Sequence, residues 1–194
     1  PTAAKAKDAK YVFGNALAEA GHYDVAIGFL KASDTTEAQY LLGTFHRDGL
    51  GGAEINIPTA VEYFSNALEK GYIAAQDALY DLRDQLTAWK KYSLGRRYSY
   101  GPQSDHAKAN ELFLAASNTE KDAAFEYANR LYKGEHGVTQ NVDEAVRLYT
   151  FASEKGVIKA TFALAKHQLT SQVNNAADAI HLYVSYLCTP FLFV

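Results

Sequence analysis

The chain contains no methionine, one cysteine and one tryptophan among its 194 residues. With Cys188 as the only thiol, no disulfide can form within the chain. No apolar run approaches the roughly 20 residues that a membrane-spanning helix needs, and the apolar end at 191–194 is too short for an anchor. We therefore expect a soluble chain. Because it begins at Pro1 and lacks methionine, we also expect a processed or trimmed piece of a longer gene product.

Neither sign of charge dominates the sequence. The chain has 19 Lys and Arg against 22 Asp and Glu, which gives a formal net charge of -3. A basic excess would indicate a nucleic-acid partner, and an acidic tail would indicate a solvated extension. Since the chain has neither, we predict no nucleic-acid binding and no membrane insertion.

Motifs for catalysis and for metal binding are also missing. The six histidines are scattered, and none stands in a motif such as H-E-x-x-H. The glycine-rich loop GLGGAEINIP lacks the spacing of a phosphate-binding loop, and no strand precedes it. The chain has no G-x-S-x-G motif or paired carboxylates, and Cys188 has no basic neighbours that would activate its thiol. We predict no catalytic residue, no cofactor site and no metal site, and therefore no enzyme.

Residues 123–160 have the pattern of two amphipathic helices joined by a glycine-rich loop. Asn141 is placed to cap the second helix, and Gly156 is placed to end it in the left-handed conformation. The apolar positions recur at helical spacing, and neither helix could bury its stripe alone. They are Phe125, Ala128, Leu131 and Tyr132 in the first helix, and Ala145, Val146, Tyr149 and Ala152 in the second.

This unit is repeated within the chain. A shift of 85 residues superimposes residues 38–75 on residues 123–160 without a gap. A shorter copy lies between them, with Leu94-Gly95 in its first helix and Ala109 in its second. Helix pairs at a fixed period are the signature of an α-solenoid. The matches include glycines and alanines at Gly49 and Gly134, Gly52 and Gly137, Ala60 and Ala145, Ala67 and Ala152, and Gly71 and Gly156.

The pattern resembles the Sel-one-like repeat, a branch of the tetratricopeptide-repeat superfamily. Two departures are that His46 and Leu131 stand where the family usually has tyrosine, and that the middle copy is out of phase by more than one turn. The resemblance covers most of residues 35–166. The motif residues of the first copy are Ala38, Leu42-Gly43, His46, Gly49, Ala60, Ala67 and Gly71, and those of the last are Ala123, Tyr127-Ala128, Leu131, Gly134, Ala145, Ala152 and Gly156.

The resemblance implies an all-α fold, a right-handed α-α superhelix of about eleven helices that forms a single domain over residues 1–194. We predict a tetratricopeptide-like hairpin at 1–34, with Gly28 at a close helix approach. Sel-one-like repeats then follow at 35–72, 88–120 and 121–157, with an inserted helix at 73–87. A C-terminal helix pair and tail complete the chain at 158–194, the second helix of that pair spanning 176–187.

Two regions allow more than one interpretation. Residues 73–100 could form two helices, the second capped by Thr87, or one long kinked helix, and we favour two. Trp89 lies at that seam, where a core position is favoured over a binding anchor. The apolar tail at 189–194 either packs over the last helix or marks a surface that a longer array once covered.

The resemblance points to the first helix of each pair as the partner-binding face, because these helices line the concave side of such arrays. The residues expected to point outward there are basic for an acidic chain, which fits either a solvated face or a groove for an acidic peptide or protein surface. The outward positions are Thr44 and Arg47, then Arg96 and Ser99, then Asn129 and Tyr132, with Arg97, Arg130 and Lys133 nearby, and we predict that Arg47, Arg96 and Arg130 face the partner.

The function that this resemblance implies is non-catalytic binding of a partner protein or peptide on the concave face. One alternative is an immunity protein that neutralises a secreted toxin. Another is an accessory repeat domain of a larger protein, either enzymatic or involved in envelope assembly. The sequence leaves the oligomeric state open, and it favours a bacterial periplasmic or exported location over the cytoplasm.

Overall fold

The computed structural model of the protein describes residues 3–52 and 54–171, together with residues 180 and 184. The regular elements in these ranges are helical, which confirms the all-α prediction. The eleventh predicted helix at 176–187, its candidate caps Asn174 and Asn175, and the tail at 189–194 lie outside the described residues. The ten α-helices are α1 Ala3–Glu19, α2 Tyr23–Ser33, α3 Thr36–Asp48, α4 Ile57–Glu69, α5 Ala74–Asp81, α6 Ala88–Tyr100, α7 His106–Ala116, α8 Lys121–Lys133, α9 Val142–Glu154 and α10 Ile158–Ser171.

The helices belong to two compact units, one ending at Leu86 and the other beginning at Thr87. In the first unit α1 packs with α2, α3 packs with α4, and α5 lies against α4. In the second unit α6 packs with α7, α8 packs with α9, and α10 lies against α9. Each unit is therefore a series of helix pairs followed by one further helix. The single domain and its segment boundaries stay predictions.

The same backbone hydrogen bond closes the helix pair in all three repeats. The amide of the residue that caps the second helix donates to a carbonyl near the end of the first helix. The side chain of that residue then accepts from the second helix's own backbone amides. The donor and acceptor pairs are Asn56 and His46 at 2.8 Å, Asp105 and Tyr98 at 2.8 Å, and Asn141 and Leu131 at 2.9 Å.

The middle repeat therefore pairs its helices in the same register as the other two. The stretch 98–105 is shorter than the equivalent stretches 46–56 and 131–141, while the bond at its ends is unchanged. The apparent phase shift in the sequence comes from this shortened loop, and the helices themselves are not displaced.

Glycines in the first helices allow aromatic rings of the second helices to approach the backbone. A Cβ atom on Gly43 would lie 2.7 Å from the ring of Phe64, and one on Gly95 would lie 2.8 Å from the ring of Phe113. Real side chains do not approach this closely, so the Leu-Gly pair is a packing requirement. The prediction for Gly28 is wrong, because that glycine is exposed on α2 and a Cβ there would meet nothing within 4 Å.

The region between the first and second repeats forms two helices, as favoured from the sequence. α5 ends at Asp81, and a short 3-10 turn covers Arg83–Gln85. Thr87 then caps α6 by accepting from the Lys90 amide at 3.3 Å. The core position predicted for Trp89 is wrong, because its side chain is 58% exposed near the start of α6, where Tyr92 fills the buried face instead.

Candidate functional site

Among the predicted binding residues, Arg130 differs most from the prediction in its burial. Its side chain is 4% exposed, so the outward position predicted for it is wrong. The guanidinium donates to Ser99 Oγ at 2.6 Å and to Asn110 Oδ1, and it lies 4.9 Å from the centre of the Phe113 ring. Burial lowers the pKa of Arg130, and the nearby Tyr100 partly opposes that effect.

The packing of α8 explains this error. Asn110 and Phe113 belong to α7, so Arg130 lies on the side of α8 that faces the preceding repeat. Ser99 was also expected to point outward, and it is buried with its hydroxyl donating to the Gly95 carbonyl at 2.9 Å. Neither residue is placed to contact a partner directly.

Arg47 in the first unit is neutralised by its neighbour in the chain. Its guanidinium donates two hydrogen bonds to the Asp48 carboxylate, at 2.7 and 2.8 Å. This pairing raises the pKa of Arg47 and lowers the pKa of Asp48. Thr44 is half-buried and donates its hydroxyl to the Tyr40 carbonyl at 3.2 Å. The first unit thus presents a self-paired ion pair at the positions where we expected a basic surface.

The other predicted residues lie on α6 and α8 of the second unit. Arg96 is exposed, while Arg97 is half-buried. Lys133 is exposed and lies 3.4 Å from Glu135. Asn129 is half-buried, one turn before Lys133 on α8. The structure brings Asn129, Tyr132 and Lys133 together at one place, where they line a groove.

The groove lies between α8, α9 and α10 within the second unit and has a volume of about 520 Å³. We call it the aromatic–lysine groove. Asn129 and Ala163 complete its lining. Its aromatic residues are Phe125, Tyr132, Tyr149 and Phe162, and its basic residues are Lys133, Lys159 and Lys166.

Hydrogen bonds hold the polar atoms of the aromatic residues in place. The Tyr149 hydroxyl donates to Asn129 Oδ1 at 2.8 Å, and the Tyr132 hydroxyl lies 3.3 Å from His167 Nδ1. Burial, together with the nearby Tyr132, raises the pKa of Tyr149 to about 12, so its hydroxyl stays a neutral donor at physiological pH. The two tyrosines of the lining are therefore held in position without a ligand.

The edge of the groove is positively charged and open to solvent. Lys133, Lys159 and Lys166 are all exposed, and the Phe162 ring is 41% exposed. Of the described residues that line the groove, none is acidic. The arrangement combines an apolar lining, which favours burial of a hydrophobic side chain, with ammonium groups that favour nearby carboxylates.

Sequence reasoning missed the contribution of α10 to this groove. Lys159, Phe162, Ala163 and Lys166 follow the spacing i, i+3, i+4 and i+7, so they share one face of that helix. The signal was present in the sequence, because α10 stands where the first helix of a further pair would stand. The prediction confined the binding face to the first helices of the three complete repeats and so left out α10.

The described part of the chain shows no metal cluster that could form a second site. Residues 3–52 and 54–171 contain no group of three or more His, Cys, Asp and Glu side chains that could hold a metal ion. The rings of His106 and His136 have centres 4.3 Å apart. Among the helices that the structure describes, none has the length and apolar character needed to cross a membrane.

Successive helix pairs of this kind define a helical-repeat protein. The sequence pattern of the Sel1 repeat matches residues 36–72, 91–118 and 121–157, which together make up more than half of the chain. The chain belongs to the Sel1 repeat family, the Sel-one-like family of the sequence analysis. Proteins of this family are generally scaffolds for protein–protein interaction and are typically not enzymes.

Solved structures similar to this chain include two proteins described as having this type of repeat. One is c5321, a protective antigen of uropathogenic Escherichia coli strains that displays an SLR fold, with 20% identity, a TM-score of 0.49 and 93% of this chain covered. The chain spans only 45% of the length of c5321. Another is a Sel1 repeat protein from Oxalobacter formigenes, with 18% identity, a TM-score of 0.47, and 96% of this chain and 87% of that chain covered.

A third similar structure is PA5086 of Pseudomonas aeruginosa, with 17% identity and a TM-score of 0.36. The alignment covers 93% of this chain and 79% of PA5086. No curated protein sequence shows significant similarity to the chain.

Proposed function

We propose that the protein is a non-catalytic interaction scaffold that holds a segment of a partner protein in the aromatic–lysine groove. The observation that carries the proposal is the groove itself, with four aromatic rings and three lysines in one lining. Family membership supports the general role, because Sel1 repeat proteins generally bind other proteins.

The aromatic residues supply the affinity in this proposal. Aromatic side chains are enriched at the centres of protein interfaces, where they bury large areas at low cost in side-chain entropy. Phe162 has the strongest claim to this role, because its ring is 41% exposed and lies among the groove residues. A partner that covers this ring removes an apolar surface from water.

The size of the groove favours a segment over a whole globular surface as the part that enters it. A volume of about 520 Å³ accommodates a few side chains. The remaining contact area comes from the exposed faces of α8 and α10 next to the groove. Binding through a short segment also requires little change in the scaffold, because the tyrosine hydroxyls are already hydrogen-bonded.

Capture of partners from the native organism tests this function. We compare the full chain with Phe162→Ala and with Leu114→Ala as a matched control, since Leu114 is 52% exposed on α7 and does not line the groove. Partners that bind wild type and the Leu114 variant should be lost or weakened at least tenfold with Phe162→Ala, as measured by calorimetry on the purified partner. Retention of every partner at unchanged affinity by the Phe162 variant would contradict the proposal.

Charge reversal of Arg47, Arg96 and Arg130 together is a poor test of the same idea. Arg130 is buried, so a carboxylate in its place would disrupt the packing between α7 and α8. Any loss of binding by that triple variant would report on folding. The lysines of the groove are exposed and avoid this problem.

A further inference from the structure

Equivalent positions of the first and third repeats carry opposite charges. Under the shift of 85 residues that relates these repeats, Lys133 corresponds to Asp48 and Lys166 corresponds to Asp81. Both differences fall on residues that line the groove in the second unit. Two lysines of the groove therefore have an acidic counterpart in the first unit.

The other two α10 positions differ in the same direction. Lys159 corresponds to Ala74, and Phe162 corresponds to Asp77. Going from the first unit to the second, one position gains a positive charge and another exchanges a carboxylate for an aromatic ring. Across these four positions the first unit has three carboxylates, whereas the second has three ammonium groups and one phenyl ring.

The framework around these positions is the same in both units. Gly49 and Gly134 end their helices with φ values of 70° in both cases. Ala75 on α5 and Ala160 on α10 are equivalent, and both are fully buried. Because the repeat keeps its turns and its buried contacts with either set of charges, the packing of the repeat does not require the lysines.

In the first unit Arg47 offsets only part of this acidic charge. Asp48 accepts both hydrogen bonds from Arg47, and Asp81 is close enough to add to the rise in the Arg47 pKa. The residue of the second unit that corresponds to Arg47 is Tyr132, an aromatic side chain without a cationic group. Lys133 has Glu135 nearby, but no acidic residue lines the groove itself among the described residues.

We propose that the aromatic–lysine groove selects an acidic peptide segment with one aromatic or large aliphatic anchor, and that the equivalent surface of the first unit does not. The inference rests on the proposed function and names its partner class. Charge complementarity assigns the acidic character, and the ring of Phe162 among the lysines assigns the apolar anchor.

The spacing of the lysines indicates how the acidic residues are arranged. Lys159 and Lys166 are seven residues apart on one face of α10, which places their Cα atoms about 10 Å apart along the helix axis. An extended peptide rises about 3.3 Å per residue and its alternate side chains share one face, so two carboxylates four positions apart lie on the same face about 13 Å apart, a separation that the long lysine side chains can span. Phe162 lies between the two lysines in the helix, so the anchor belongs between the two acidic residues of the peptide.

Fluorescence anisotropy with synthetic peptides and the full chain tests this selection. The probe is a capped, labelled eight-residue peptide with two glutamates four positions apart and a phenylalanine midway between them. One control peptide has glutamine at both glutamate positions, and the other has alanine in place of the phenylalanine. We expect each control to bind at least tenfold more weakly than the probe, and we expect the affinity of the probe to fall as salt increases.

The chain supplies its own substitutions for the protein side of the experiment. The test variant combines Lys133→Asp, Lys159→Ala and Lys166→Asp, which are the residues that the first unit has at these positions. The control variant combines Lys5→Asp, Lys10→Asp and Lys121→Ala, which changes the net charge equally at exposed lysines outside the groove. We expect at least tenfold weaker probe binding by the test variant and less than a twofold change in the control.

Three results would overturn the inference: no binding of the probe to wild type, equal binding of the glutamine peptide, or equal losses in both triple variants. Thermal melts accompany each variant, and a single Lys166→Gln substitution gives a second measurement if the triple variant fails to fold. Loss of partners by Phe162→Ala combined with no binding of the acidic probe would leave the proposed function standing and remove its acidic specificity. Probe binding without any partner that depends on Phe162 would do the reverse.

Discussion

Phe45 in the first repeat and Arg130 in the third repeat occupy equivalent positions, and both are almost completely buried. Phe45 packs edge-on against Tyr23, with the ring centres 5.4 Å apart. The Arg130 guanidinium lies over the ring of Phe113, 4.9 Å from its centre. In both repeats the contact is made to an aromatic residue on the second helix of the preceding pair. The position therefore holds a flat group in contact with an aromatic ring, and it accepts either a phenyl ring met edge-on or a hydrogen-bonded cation over the ring face.

The same two repeats differ where the second helix meets the first. In the first repeat the Phe64 ring lies directly over Gly43, with no room for a Cβ atom. The third repeat has Ala128 and Tyr149 at these positions, and the Tyr149 hydroxyl donates to Asn129. The added hydroxyl has a partner because Asn129 replaces Thr44. The polar part of the groove thus comes from two side-chain differences, Asn129 and Tyr149, in a helix pair that is otherwise arranged as in the first repeat.

The largest effect that we expect comes from Phe45→Ala. Removing a buried ring loses its burial and leaves a cavity, which should lower the free energy of unfolding by about 3–5 kcal/mol. Urea unfolding followed by circular dichroism measures this change. A loss below about 1 kcal/mol would mean that the contact with Tyr23 is not part of the core.

The counterpart in the third repeat is Arg130→Met, which keeps an unbranched buried side chain and removes the hydrogen bonds. It should cost about 1–3 kcal/mol, because Ser99 Oγ loses a charged donor in a buried site. If this variant lost as much stability as Phe45→Ala, then the hydrogen bonds of the cation would matter more at this position than the contact with the aromatic ring.

An effect of similar size is expected from Ala60→Leu and Ala145→Leu, which stand at equivalent positions of the second helices. Both alanines are fully buried, so a larger side chain would overpack the contact between helices and destabilise by about 1–3 kcal/mol in each repeat. Thermal melts of the two variants measure it. Unchanged melts in both would show that the repeat core is misplaced, whereas a change in only one would break the equivalence of the two repeats.

The features that the sequence predicted correctly depend on local backbone needs. Asn141 had to satisfy the first amides of α9, and Gly134 and Gly156 adopt positive φ values, which are costly for other residues. Such requirements belong to a few neighbouring residues, so they can be recognised without knowledge of the tertiary structure. These signals were enough to predict that the helices form and which residues cap them.

The features that the sequence did not predict depend on which side of a helix meets a neighbour. Arg130 was placed outward because charged residues are rarely buried, but its partners Ser99 and Asn110 come from two other helices. Trp89 was placed in the core because of its size, although Tyr92 fills that side of α6. The groove depends on α10, whose lysines share a face by their spacing, but the packing of α10 on α9 decides that this face lines a groove.

The smallest effect at neutral pH is expected from Tyr149→Phe, which gives the third repeat the residue of the first. Loss of the hydrogen bond to Asn129 should cost about 1 kcal/mol at pH 7, because the ring remains and only the hydroxyl is removed. Urea unfolding of both proteins at pH 7 measures this difference. A cost above about 3 kcal/mol would indicate that the hydroxyl orders more of the groove than Asn129 alone.

Tyr149→Phe is a sharper test at alkaline pH, because the introduced phenylalanine has no proton to lose and Tyr149 has one. The pKa of Tyr149 is raised from 10.0 to about 12 in the folded protein, so folding favours the protonated hydroxyl. This contribution to stability is fully present below pH 10 and is lost as the pH rises from 10 towards 12, since the unfolded chain releases its proton first. Wild type should therefore lose stability over this window more steeply than Tyr149→Phe, and the difference measured at pH 7 should shrink.

The other tyrosines are common to both proteins and cancel in the comparison. Parallel stability curves between pH 8 and pH 11 would show that the Tyr149 hydroxyl reaches solvent, and the lining of the groove would then be more open than the hydrogen bond to Asn129 implies.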